Sequence, residues 1–311
     1  MTDDVGAALA LGEAGPLRGT HRFSHAAMAT VFEVHCAHAD AGYARQAAQA
    51  AFDLVDRLEL ELSRFIANSD ISRINHLAAG ESTRVSPGTM ECLEISWHLH
   101  TLTGGVFDVS IGSGIEHLEL VPEEFAVHAR EGGARLDLGG IGKGYAVDRM
   151  AELLEEWEIS RALVHGGFSS VLALEAPPDR DGWPLTLSAP GPGDGRVLVR
   201  VSVRRRAFSA SGTRKGDHIR DPRTGEAVRG GAAWVALSGG GEPGAEAGLP
   251  DAARSPAAVA EGLSTAFMIL PVEELAEWCR RWPGLEAWLF RGPAKRQDAA
   301  AALVHLGPSR A

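Results

Sequence analysis

Apolar residues recur along this chain at two spacings, and the switches between them mark out its elements. Residues 28 to 37, MATVFEVHCA, are apolar and β-branched, which predicts a first strand. From Asp40, a suitable N-cap, Ala48, Phe52, Val55, Leu58 and Leu62 follow at steps of three and four and predict a long helix with one apolar face. A second helix is punctuated by Ser86 as N-cap, Pro87 in the first helical position and Gly104-Gly105 as the stop. HLELV and FAVHA flank Pro122-Glu123-Glu124 and predict a hairpin. A third helix, with Val147, Met150, Leu153, Leu154 and Trp157 on one side, opens out of the glycine-rich stretch LDLGGIGKGYAVD, residues 136 to 148.

The second half changes period. ALVHG, SVLALE, PLTLSA, VLVRVSV and AFSAS are short apolar runs separated by Gly, Pro and Asp, the pattern of an antiparallel sheet. Helices at AVAEGLSTAFMIL and VEELAEWCRRW and a strand at LEAWLF complete the set. Strands and helices do not alternate regularly, which predicts an α+β fold rather than a doubly wound sheet. SGGGEPGAEAGLPDAARSP, residues 238 to 256, is too poor in core-forming side chains for anything but a flexible loop. The organisation expected is a disordered tail over residues 1–18, one domain over 19–295 containing that loop, and a C-terminal tail over 296–311.

Composition narrows the function. The 30 basic and 41 acidic residues leave a net charge of −11, which argues against general affinity for nucleic acid or anionic lipid. An anionic ligand must therefore be held locally. The three cysteines have no paired spacing, so neither a disulfide framework nor a zinc site is expected. No run of 18 apolar residues occurs and the N-terminus is acidic, so the expectation is a cytoplasmic protein without stable membrane insertion.

Three stretches carry candidate chemistry. The glycines of 139 to 144 fit neither the dinucleotide fingerprint nor the P-loop, yet they combine close backbone approach, a helix N-terminus and the charge of Lys143. They read equally as a phosphate cradle or as a tight strand-to-helix turn. In SASGTRKGDHIRDPRTG, residues 209 to 225, His218 stands three residues before Asp221, which could orient it as a general base; the same spacing suits a hairpin tip with a solvated histidine. In AEGLSTAF, residues 260 to 267, Glu261 and Thr265 are four apart and share a helical face, so both oxygens could reach one hard cation, or could simply be ordinary helix residues.

Taken in order, AMATVFEV, LSRFIANSDISRIN, TGGVFDVSIG, LDLGGIGKGYAVDRM, SASG, HIRDPRTG and LSTAFMIL resemble the ApbE family of FAD:protein FMN transferases, over about residues 22 to 292. The resemblance implies an ApbE-like, T-fold-related single catalytic domain with a mainly antiparallel sheet and packed helices. It also implies a Mg²⁺-dependent reaction in which FAD is split at its pyrophosphate, FMN is esterified to a threonine of a partner flavoprotein, and AMP leaves. Carried over by position, Met28, Phe65, Val106, Phe107, Asp108, Asp137, Lys143 and His218 would contact FAD. Gly140 through its carbonyl, Glu261 and Thr265 would hold Mg²⁺, with His218 as base and Asp221 beside it.

Three departures stand out. Glu261 replaces the family's usual Asp, VHGGFSSVLAL alters a stretch expected to line the pocket with His165, and the segment from Ser110 to His117 is short. An FAD pyrophosphatase yielding AMP and FMN, and an FAD-binding protein without chemistry, are the alternatives.

Overall fold

The computed structural model describes residues 9–11, 17, 19–189, 197–213, 219–228, 230–238, 249, 251–290 and 303–307. Its centre is an eight-stranded antiparallel sheet. From edge to edge it runs β14 (Leu303–Leu306), β13 (Leu285–Phe290), β12 (Ala232–Ser238), β11 (Arg206–Gly212), β8 (Ser170–Ala173), β7 (Ala162–Gly166), β3 (Thr30–Ala37) and β2 (Thr20–Ala27). A three-stranded sheet of β1 (Leu9–Leu11), β9 (Trp183–Ser188) and β10 (Val197–Val203), and another of β4 (Ser82–Arg84), β6 (Ala126–Ala129) and β5 (Leu118–Val121), accompany it. The helices are α1 (Ala41–Leu62), α2 (Asp70–Ile74), α3 (Pro87–Leu102), α4 (Gly142–Glu156), α5 (Pro256–Phe267) and α6 (Val272–Arg281). This is the α+β arrangement expected, with a mainly antiparallel sheet and helices packed against it.

Side-chain alternation divides the interior in two. On β12, Ala233, Val235 and Leu237 join the core cluster that contains the helices, while Ala232, Trp234 and Ala236 face a second cluster with Trp183, Leu185 and Leu187 of β9. Strands covered on both faces become largely apolar runs, as in AAWVAL and in LEAWLF, whose one charge, the buried Glu286, is paired with Arg206 at 2.9 Å. Trp183, Trp234 and Phe208 are all but fully buried, and truncating any one to alanine should cost on the order of 3–5 kcal/mol.

The helix boundaries follow their caps. Asp40 accepts from the amides of Gly42 (2.8 Å) and Tyr43 (3.0 Å), and Ser86 accepts from Thr89 (3.2 Å) with Pro87 in the first turn. The expected strand at 28–37 differs in its start. Met28 and Ala29 have φ of 50° and 55° and form the two-residue turn of a β2–β3 hairpin, with Ala27 opposite Thr30. Short strands also fall inside both stretches expected as tails: β1 pairs with β9 and buries Leu9 completely, and β14 pairs with β13. Within the expected loop, residues 239–248 lie outside the described residues, while 251–254 form a turn leading into α5.

Candidate active site

Helices α4 and α5 pack against each other, and α5 lies on β11 and β12. Their contact requires Gly144. A Cβ there would lie 2.3 Å from the carbonyl oxygen of Ala257 and 2.9 Å from the Cα of Ala258, so only glycine lets the first turns of the two helices meet. At that meeting each helix sends a carboxylate to the start of the other. Asp148 of α4, fully buried, accepts from the amides of Ala257 (2.9 Å) and Ala258 (2.8 Å). Burial raises its pKa, and the two amide bonds, which favour the charged form, act against that. Glu261 of α5, also buried, accepts from the amide of Gly144 (2.5 Å) with one oxygen and pairs with the Lys143 ammonium through the other. Both acids sit where helix dipoles favour negative charge.

Of the residues expected to hold a cation, Glu261 and Thr265 are one turn apart on α5, and the Gly140 backbone borders Thr265. Lys143 also donates to the carbonyl of Gly139 (3.1 Å). Thr265 stands one turn beyond Glu261; its hydroxyl lies 3.3 Å from the Glu261 carbonyl and 3.1 Å from the hydroxyl of Ser211, which in turn meets Ser264 at 2.8 Å. A Cβ on Gly140 would lie 3.9 Å from the Thr265 hydroxyl and 3.5 Å from the Phe107 ring, so the Gly140 backbone borders the same spot.

Around this centre the expected FAD contacts take different positions. Asp137 caps the turn Leu138–Gly140 by accepting from Gly139 (2.9 Å), and its other oxygen pairs with Arg64 at 3.0 Å. The Arg64 guanidinium lies over one face of Phe65, 4.4 Å from the ring centroid, and the residue is otherwise 82% exposed. Val106 and Phe107 are buried and form a wall rather than a free surface. Asp108 organises the short loop after it, accepting from the amides of Ser110 (2.8 Å) and Gly112 (2.7 Å) and from the Ser110 hydroxyl (2.7 Å). Met28 occupies the β2–β3 turn and packs on the main core cluster.

His218 lies outside the described residues. Asp221 is bound to Arg223 through the amide (2.9 Å), Nε (3.0 Å) and Nη2 (2.8 Å), and the Arg223 hydrogen bonds hold its carboxyl below the usual range. The partner of Asp221 among the described residues is therefore Arg223. Its turn touches the Asp108 loop, where a Cβ on Gly112 would lie 3.0 Å from the Pro222 carbonyl. His165, expected along the pocket, faces away from the helices. It is buried, its ring meets Phe168 edge-on at 5.7 Å, and burial lowers its pKa to about 4.

Sequence reasoning passed over Asp148, Ser211 and Arg64. Asp148 had a visible signal: it lies on the same helical stripe as Gly144, Tyr145 and Ala151, where a charge needs a buried partner.

The model of the ApbE family matches residues 28–124 and 113–248. This chain belongs to the ApbE family. An FAD:protein FMN transferase of Treponema pallidum (strain Nichols) is 28% identical over 308 aligned positions, covering 83% of this chain and 80% of its own. Another, of Klebsiella pneumoniae (strain 342), is 24% identical over 224 positions covering 59% of this chain, and the match spans 63% of the relative, just under two thirds. Among solved structures, the flavin transferase ApbE from Vibrio cholerae superposes with a TM-score of 0.73 at 19% identity, covering 93% of this chain and 98% of that one. The apo flavinyl transferase ApbE of Pseudomonas stutzeri gives 0.72 at 21%, covering 93% and 94%. These likenesses establish an ApbE fold for the whole domain.

Proposed function

We propose that this ApbE-family chain transfers FMN from FAD to a threonine hydroxyl of a partner flavoprotein and releases AMP. The observation that carries the reading is the Lys143–Glu261 pair at the junction of α4 and α5, on the glycine motif that the family model matches, with Thr265 one turn further along α5. In the reaction the threonine oxygen bonds to the phosphorus on the FMN side of the pyrophosphate. The bond from that phosphorus to the bridging oxygen breaks, and AMP departs with that oxygen.

The donor set suits a magnesium ion. Among the described residues no group of three or more His, Cys, Asp or Glu gathers to hold a metal. The donors here are instead one carboxylate, one hydroxyl and backbone carbonyls, all hard oxygens. A cation already rests among them, the Lys143 ammonium held by Glu261 and the Gly139 carbonyl. Gly140, Glu261 and Thr265 would hold Mg²⁺, which when bound supplies charge neutralisation to the pyrophosphate. Ser211 fixes the Thr265 hydroxyl, Phe65 offers a stacking face for an aromatic ring system of FAD, and Asp137 and Asp108 shape the adjoining turns. His218 is assigned as the base that takes the threonine proton, close in sequence to the Asp221 turn.

A cytoplasmic setting, with an acceptor flavoprotein exposed there, belongs to the same proposal. Three buried cysteines without a disulfide accord with a reducing compartment. Among the described residues no helix is long and apolar enough to cross a membrane.

The test is incubation with FAD, Mg²⁺ and a peptide carrying an acceptor threonine, followed by mass spectrometry. Peptide gaining an FMN moiety together with AMP is the expected result. AMP and free FMN without labelling would establish a pyrophosphatase, and bound intact FAD would establish a binding protein. His218→Ala is expected to retain FAD and lose product.

A further inference from the structure

We infer that Lys143 is an exchangeable internal cation: its ammonium holds the Glu261 carboxylate until a divalent cation displaces it, and the freed ammonium then turns to the FAD pyrophosphate. The inference rests on the metal placement proposed above and adds how that site is kept and emptied.

The geometry supplies the reasons. Glu261 is buried, and an uncompensated carboxylate there would be costly. One of its oxygens is committed to the Gly144 amide, part of a helix turn that cannot leave. The other holds an ammonium on a flexible four-carbon stem, partly open to solvent at 23% side-chain exposure. The remaining bond of that ammonium is to the Gly139 carbonyl, one turn back on its own segment, and among the described residues it has no third partner. With the metal placed as proposed, the Glu261 oxygen it would take is the one not committed to the Gly144 amide, which is the one that holds Lys143. The two cations therefore compete for one oxygen. Metal entry puts two positive charges where one was, and the displaced charge remains within a side chain's length of the site. An anionic pyrophosphate arriving there offers it a new partner. Metal and FAD should then bind cooperatively, each helping to draw Lys143 off Glu261.

The experiment is a Mn²⁺ titration of the full chain, followed by electron paramagnetic resonance of free Mn²⁺, with and without FAD. Lys143→Met removes the competing ammonium while keeping most of the unbranched stem. It is expected to bind Mn²⁺ without FAD about tenfold more tightly than wild type, and FAD is expected to tighten Mn²⁺ several-fold in wild type but little in the variant. Lys143→Arg, which keeps a cation, should bind no tighter than wild type. Equal or weaker Mn²⁺ binding by a folded Lys143→Met protein overturns the exchange. Glu261→Gln separates this from the placement itself: loss of Mn²⁺ binding supports the placement, and wild-type affinity in that variant overturns both. Should Lys143→Met fail to fold, absence of any FAD effect on wild-type Mn²⁺ affinity overturns the exchange by itself.

Discussion

The starts of α5 and α4 hold the same device with different partners. At α5 the Asp148 carboxylate ends on two backbone amides, and at α4 the Glu261 carboxylate ends on one amide and one ammonium. Amides belong to a helix and stay with it, whereas an ammonium on a long stem can swing away. The first carboxylate is thus a permanent clamp and the second a clamp with one replaceable half. Next to the second, the Thr265 hydroxyl meets the Glu261 carbonyl and the Gly140 backbone borders that hydroxyl. Structure and chemistry have been separated by what the second oxygen touches.

The largest effects should fall on opposite properties. Glu261→Gln is expected to lower flavin transfer by at least about 100-fold while the protein stays folded, read by product formation beside circular dichroism. Asp148→Ala leaves two buried amides without acceptors and should cost about 3 kcal/mol in urea unfolding, while the folded fraction keeps its Mn²⁺ affinity. If Asp148→Ala abolished metal binding in folded protein, the division between the two carboxylates would collapse.

Gly144→Ala acts on both at once. Its Cβ would press on the Ala257 carbonyl, so about 2–3 kcal/mol of stability should be lost. Because it separates the helices that Asp148 joins, its effect should be strongly non-additive with Asp148→Ala in a double-mutant cycle. Simple additivity would mean that the glycine and the clamp are independent.

A smaller effect belongs to the outer face of the sheet. His165, whose pKa burial lowers to about 4, stays neutral in the fold at a pH where an unfolded histidine is charged. Its contribution is complete above about pH 6.5 and is lost as the pH falls toward 4, amounting to about 2 kcal/mol by pH 5. His165→Leu should flatten the unfolding free energy over that window without altering Mn²⁺ binding. A change in metal affinity would place this ring on the helix side after all.

Which parts of this were legible follows from the physics of each signal. Asp40 and Ser86 announce their helices because a cap needs a particular side chain beside a particular period. Glu261 and Thr265 were legible as one face of a helix, and Lys143 as a charge at a helix start. That Lys143 reaches back to Glu261 was not, since the two are 118 residues apart and meet only through helix packing. The β2 strand, THRFSHAA, is an edge strand with a single fully buried residue, Ala27, so its pattern is weak, and its Met28-Ala29 turn lacks the usual Asn-Gly. His165 shows how narrow the margin is on a strand. Ala162 and Val164 face the helices while Leu163 faces the outer cluster, so a shift of one residue moves a side chain from the site to the opposite face.

The most direct measurement is a crystal structure with FAD and Mg²⁺ bound. In it Glu261 and Thr265 are expected to ligate the metal, the Lys143 ammonium to have left Glu261 for the pyrophosphate, and Asp148 still to accept from Ala257 and Ala258. A metal bound elsewhere, with the Lys143–Glu261 pair intact, would contradict that expectation.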